Sequence, residues 1–117
     1  MNRDLEVYLK DIAESLGIIK EYVKDIQEKD FLNNQQLQDA VIRRFEIVGE
    51  ATKQIPDSFR DEYPEIPWRK MAGLRDVLIH NYFGVSIGRI WKMIKNELDK
   101  TEEYISDIIN QQSIPEK

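Results

Sequence analysis

The sequence contains no cysteine and only one histidine, His80. The first absence excludes disulfide frameworks, thiolate metal sites and cysteine nucleophiles, and the second excludes a zinc site built from several histidines. Any imidazole chemistry therefore falls to His80. No uninterrupted apolar run approaches the ~18 residues that a membrane-spanning helix requires. The first residues include Asp4 and Glu6 where a secretory signal needs an apolar core. A cytoplasmic protein with no membrane partner is expected. Also missing are a P-loop, a nucleotide-binding glycine motif, an H-E-x-x-H helix and a G-x-S-x-G elbow, so most common enzyme classes lose their signature.

What is present is one domain's worth of chain, 117 residues with 41% hydrophobic and 33% charged positions. The formal charge of -5 argues against a general polyanion binder. The sign is unevenly distributed, however. Residues 1–67 hold nine Lys/Arg against fifteen Asp/Glu, whereas residues 68–95 hold six (Arg69, Lys70, Arg75, Arg89, Lys92, Lys95) against Asp76 alone. An acidic scaffold thus carries one basic segment.

Hydrophobic spacing predicts helices throughout. Leu5, Leu9, Ile12, Leu16, Ile19, Val23 and Ile26 alternate four and three apart, the seam of a long first helix. A turn is expected over residues 30–34, with an asparagine capping a second helix through Leu37, Val41, Phe45, Val48 and Ile55. Pro56 ends that helix, and Asp57 or Ser58 can cap a short helical turn through Phe59 and Tyr63. Pro67 suits the first position of a third helix, from Trp68 to about Phe83, closed by Gly84 as a left-handed cap. Ser86 can cap a fourth, in which Ile87, Trp91, Ile94, Leu98, Thr101, Ile105 and Ile108 continue the seam. The expected fold is all-α, an antiparallel four-helix bundle with a short extra turn between helices two and three. It is expected to occupy residues 1–112 as a single domain, with a frayed tail at 113–117.

Tyr8, Tyr22, Phe45, Phe59, Trp68 and Trp91 stand at helical spacing and read as core rather than as a base-stacking platform. Glu46 and Glu50 lie one turn apart, but 22 acids in the chain make such pairs common, and no metal or other cofactor is expected.

The remaining candidate chemistry is gathered in residues 74–84, which bring together Arg75, Asp76, His80, Asn81 and Tyr82. On a helix Arg75 and Tyr82 return to nearly one face, and Asp76 and His80 sit one turn apart. Asp76 could accept a proton from the His80 ring and fix its tautomer, while the helix C-terminus favours imidazolium. Arg75 and His80 differ by ~140° around the axis and ~7.5 Å along it, so a site using both must curve around the helix. A phosphate over the flank would do this. So would a second copy facing the first across a two-fold axis.

At these residues the chain resembles the HEPN superfamily, and within it the HepT-like proteins, through R-x-x-x-x-H-x-Y matched by Arg75, His80 and Tyr82. Residues 44–51 (RFEIVGEA), 63–68 (YPEIPW) and 80–85 (HNYFGV), followed by Trp91, extend the likeness over most of the chain. The resemblance implies a dimeric helical bundle whose paired motifs line a shared cleft, and a metal-independent endoribonuclease toxin. By that resemblance His80 acts as general base or acid on a ribose 2'-hydroxyl, Arg75 stabilises the phosphoryl oxygens and Asp76 orients. The products would be a 2',3'-cyclic phosphate and a 5'-hydroxyl. It further implies a minimal nucleotidyltransferase antitoxin as partner, which adenylylates Tyr82 and so fills the cleft with bulk and negative charge.

Arg69, Lys70, Arg89, Lys92 and Lys95 are the expected RNA-binding residues around that motif; of these, Arg89, Lys92 and Lys95 begin the fourth helix, where cations oppose its dipole and invite an anion. The competing expectation is a non-catalytic module that binds a nucleotidyltransferase. A third is a purely structural helical dimer in which Arg75 pairs with an acid such as Glu46 or Glu50.

Overall fold

Amphipathic periodicity and side-chain caps set the elements. The structure, a computed structural model, describes residues 2–80 and 86–113, side chains at 75–80, 112 and 113 excepted. Helix α1 (Arg3–Tyr22) begins where Asn2 Oδ1 accepts the Leu5 N–H at 2.7 Å. Its buried apolar residues Leu5, Leu9, Ile12, Leu16 and Ile19 are those of the predicted seam. The helix stops four residues short of Ile26, because Asp25 takes a left-handed conformation at φ 62° and turns the chain.

The two asparagines make the expected turn at 33–34, but residues 30–32 belong to a short helix, α2 (Glu28–Leu32), whose start is closed by the Asp30 carboxylate accepting the Gln27 N–H at 2.9 Å. Its reason is Phe31, fully buried, with its ring centroid 5.3 Å from that of Trp91. Asn34 caps α3 (Gln35–Lys53) as expected, accepting from Leu37 N–H at 3.0 Å. Buried Gln38 donates to the carbonyls of Phe31 and Leu32 at 2.9 and 3.1 Å, so the end of α2 is tied to α3.

Pro56 ends α3 and itself occupies the cap position of α4 (Asp57–Asp61) without a side-chain bond, where Asp57 or Ser58 was expected. The Arg60 guanidinium donates to the Ile55 and Thr52 carbonyls at 3.0 and 2.7 Å and satisfies the exposed end of α3. Phe59 lies against Tyr63 and Trp68, with centroids 5.0 and 6.5 Å apart, and Trp68 Nε1 donates to the Tyr63 carbonyl at 3.0 Å. This cluster sets the start of α5 (Trp68–His80). Pro67 is its cap residue rather than its first helical position, since its carbonyl accepts the Met71 N–H at 3.0 Å. The expected continuation to Phe83 and the Gly84 cap lie outside the described residues, as does most of the expected frayed tail, 114–117.

Ser86 caps the fourth long element, accepting from Arg89 N–H at 3.3 Å. That element is not one regular helix but α6 (Ile87–Met93), a π-helical turn (Ile94–Leu98) and α7 (Asp99–Ser113). Ile90, Ile94 and Leu98 are buried four residues apart, and in a regular helix each such step would precess by ~40°. The wider turn keeps their line on the core.

Among the described residues there is no strand. α3 lies at the centre, against α1 on one side and α5 on another, while α1 also meets α7 and α2 meets α6. The all-α bundle with an extra turn before the third long helix is the architecture the seams predicted. Phe45, Phe59, Trp68 and Trp91 are buried core, as expected, whereas Tyr8 is half-buried and Tyr22 exposed. Among the described residues no helix is long and apolar enough to cross a membrane.

Candidate functional site

α5 carries positions 75, 76 and 80 on its C-terminal half and is held by its N-terminal half. Trp68 and Met71 are buried, and Leu74 lies half-buried on the same cluster. Met71 and Leu74 line a small cleft with Phe45 and Val48 of α3 and Met93, Leu98 and Thr101 of the fourth element. Its free interior is about 30 Å³, room for little more than a water. At this cleft Lys70 Nζ donates to both Glu97 oxygens at 2.8 Å.

The helix register distributes the motif around α5. Counting ~100° per residue, position 75 falls within ~40° of both Trp68 and Met71, on the flank turned to α3. Positions 69, 73, 76 and 80 fall together within an arc of ~60° turned away from that flank. A functional surface using positions 75 and 80 has to wrap the helix, as the spacing implied. Tyr82 lies outside the described residues, and for Arg75, Asp76 and His80 it is the backbone position that is described.

The basic residues separate into different situations. Arg69 is exposed and makes no ion pair among the described residues. Lys70, by contrast, is engaged by Glu97, a partner that lies 27 residues away and is invisible in the linear charge pattern. Arg89 and Lys92 are exposed on α6. Lys95 Nζ stands 4.8 Å over the Trp91 ring, and it also lines a polar hollow of about 350 Å³ with Lys20, Lys24 and Asp99. In that hollow Lys20 is paired with Glu102 at 2.8 Å and Asp99 at 3.3 Å. The hydrogen bond to Glu102 raises the Lys20 pKa above its ordinary value against a lowering by burial.

The candidate carboxylate pair resolves differently. Glu46 pairs with Arg43 at 3.4 Å, one turn back on α3. Among the described residues no group of three or more His, Asp or Glu side chains is placed to hold a metal ion.

One further residue of α5 escaped the sequence reading. Gly73 lies mid-helix, and a Cβ built on it would meet no atom of the described residues within 4 Å. Glycine there costs ~0.5–1 kcal/mol of helix stability relative to alanine, yet nothing inside the described chain requires it. Gly17 is different: a Cβ there would stand 3.2 Å from Glu102 Oε2, at the contact of α1 with α7.

Residues 12–108 match the ribonuclease HepT-like family, and the chain belongs to that family. It is 49% identical over 98 residues to "Probable ribonuclease HepT" of Thermococcus cleftensis, covering 84% of this chain and 89% of the relative. It is 42% identical over 103 residues to "Putative RNase MJ1380" of Methanocaldococcus jannaschii, covering 88% and 94%. A further relative from that organism, "Gamma-glutamylcyclotransferase and putative RNase MJ0434", is 47% identical over 111 residues. The match takes in 95% of this chain but spans only half the length of that relative. No solved structure matches.

Proposed function

We propose that this chain is a metal-independent endoribonuclease, the toxin of a toxin–antitoxin pair, acting on single-stranded or looped RNA as a homodimer. The observation that carries the reading is the family match over residues 12–108, which includes the whole Arg75, Asp76, His80 and Tyr82 segment. The helix register supports the dimer: positions 75 and 80 occupy different flanks of α5, and a second copy across a two-fold axis supplies the surface that reaches both.

In this reading the ribose 2'-oxygen forms a bond to the adjacent phosphorus and the bond from phosphorus to the 5'-oxygen breaks. His80 acts as general base or acid for the proton leaving the 2'-hydroxyl or arriving at the 5'-oxygen. Arg75 holds the phosphoryl oxygens as charge builds on them, and Asp76 orients the imidazole. The products are a 2',3'-cyclic phosphate and a 5'-hydroxyl. Single-stranded substrate follows from the need to bring the 2'-oxygen in line with the scissile bond. Arg69, Arg89, Lys92 and Lys95 supply cations to the RNA backbone, and Lys70 joins them when released from Glu97.

The regulator is a minimal nucleotidyltransferase antitoxin that adenylylates Tyr82. The added nucleotide fills the cleft on the Arg75 side and repels incoming phosphate. The test is incubation of the purified, partner-free chain with a defined RNA in excess chelator, beside His80→Ala, with analysis of product ends. Chelator-resistant cleavage that leaves cyclic phosphate and vanishes in the variant is the expected result. No cleavage by folded, unmodified protein would overturn the reading in favour of a non-catalytic module that binds the transferase.

A further inference from the structure

Gly73 interrupts the middle of α5 with the poorest helix former after proline. Its backbone does not require it, since among the described residues no glycine has positive φ. Among the described residues space does not require it either, because a Cβ would meet none of their atoms within 4 Å. A physical use for a missing side chain there is the close approach of something outside the described residues.

The register says where that approach occurs. Positions 69, 73, 76 and 80 form one stripe with spacings of four, three and four, turned away from Trp68 and Met71 and about 16 Å long. Gly73 therefore sits between exposed Arg69 on one side and the positions of Asp76 and His80 on the other. Arg69 brings an unpaired cation, among the described residues, to one end of the stripe, while its neighbour Lys70 is neutralised by Glu97. A cation next to a bare stretch of helix suits an anionic strand that lies flat on the backbone.

We propose that Gly73 is the point of closest approach for the RNA sugar–phosphate strand, with Arg69 pairing with a phosphate one turn before it. The inference rests on the ribonuclease reading and adds to it the path by which the strand reaches His80. Any side chain at position 73 would lift the strand off α5 and out of reach of position 80. Arg69 would then act as a backbone contact without sequence preference.

The test measures binding of a labelled single-stranded RNA in the His80→Ala background, so that substrate is not consumed, and cleavage with His80 present. Gly73→Leu is expected to keep the wild-type helical content, weaken RNA binding at least tenfold and raise KM. Gly73→Ala is expected to raise the thermal midpoint while weakening binding less. Arg69→Ala is expected to weaken binding equally across RNA sequences and lower the slope of log affinity against log salt by ~0.7. RNA binding and cleavage by Gly73→Leu and Arg69→Ala equal to wild type would overturn the proposal. So would a Gly73→Leu that splits a wild-type dimer while its monomer binds RNA unchanged, because the face would then belong to a second copy. Failure of the ribonuclease reading looks different, since the wild type itself would neither bind nor cleave.

Discussion

Lys70 of α5 and Glu97 of the π-helical turn are joined twice, the ammonium donating to both carboxylate oxygens at 2.8 Å. The pair bridges the rim of the cleft that separates α5 from the fourth element. It ties the helix carrying the motif positions to a part of the chain that the main α3 contact does not reach. The side chains are 53% and 43% exposed, so solvent screening holds the contribution to ~0–1 kcal/mol.

Glu97→Lys is therefore expected to lower stability by about 1 kcal/mol, through loss of the pair and the new repulsion. The double variant Lys70→Glu with Glu97→Lys should recover most of that loss in urea titrations. Equal stability of the single and double variants would show that the two charges are not coupled.

A second expectation concerns alkaline pH. Lys20 gains the carboxylates of Glu102 and Asp99, and its pKa is raised above 10.5. A raised lysine pKa means that the folded state holds the proton more tightly than the unfolded chain. The contribution is thus complete below about pH 10.5 and is lost as pH rises through the elevated value. Denaturant midpoints of wild type and Lys20→Met should differ at neutral pH and converge at strongly alkaline pH; a constant gap would point to packing of the lysine stem.

Gln38→Leu should detach α2 from α3. Both bonds from the buried amide would be lost, leaving the Phe31 and Leu32 carbonyls without that donor at an expected cost of ~1–3 kcal/mol. Hydrogen exchange should report faster opening across residues 28–34 than across α1. Unchanged exchange there would mean that the Phe31 contact with Trp91 holds α2 alone.

At the proposed catalytic centre, Arg75→Lys keeps the charge but not the planar fork that matches phosphate oxygens. Loss of one preorganised donor to the transition state predicts a fall in kcat of ~10²-fold or more. Single-turnover cleavage with circular dichroism controls would test this. Full activity in Arg75→Lys would reduce the requirement at this position to charge alone.

Much of this was legible in the linear order of residues. The four-three seams of Leu9, Ile12 and Ile19 and of Ile94, Leu98 and Ile105, with Asn34 and Ser86 as caps, determined the all-α bundle, because apolar stripes at helical period have one favourable burial. The same order determined the motif and its basic surroundings, since residue identity and spacing along a helix are local properties. Only the tertiary structure decided the rest. It alone made a helix of residues 28–32, through the burial of Phe31 on Trp91, and opened the fourth helix into a π turn to keep Ile90, Ile94 and Leu98 on the core. It also removed Lys70 from the free cations by bringing Glu97 to it, and showed that no described atom lies within 4 Å of a Cβ at Gly73. These features depend on groups distant in the chain and close in space, a relation that charge and hydrophobic patterning along a sequence do not encode.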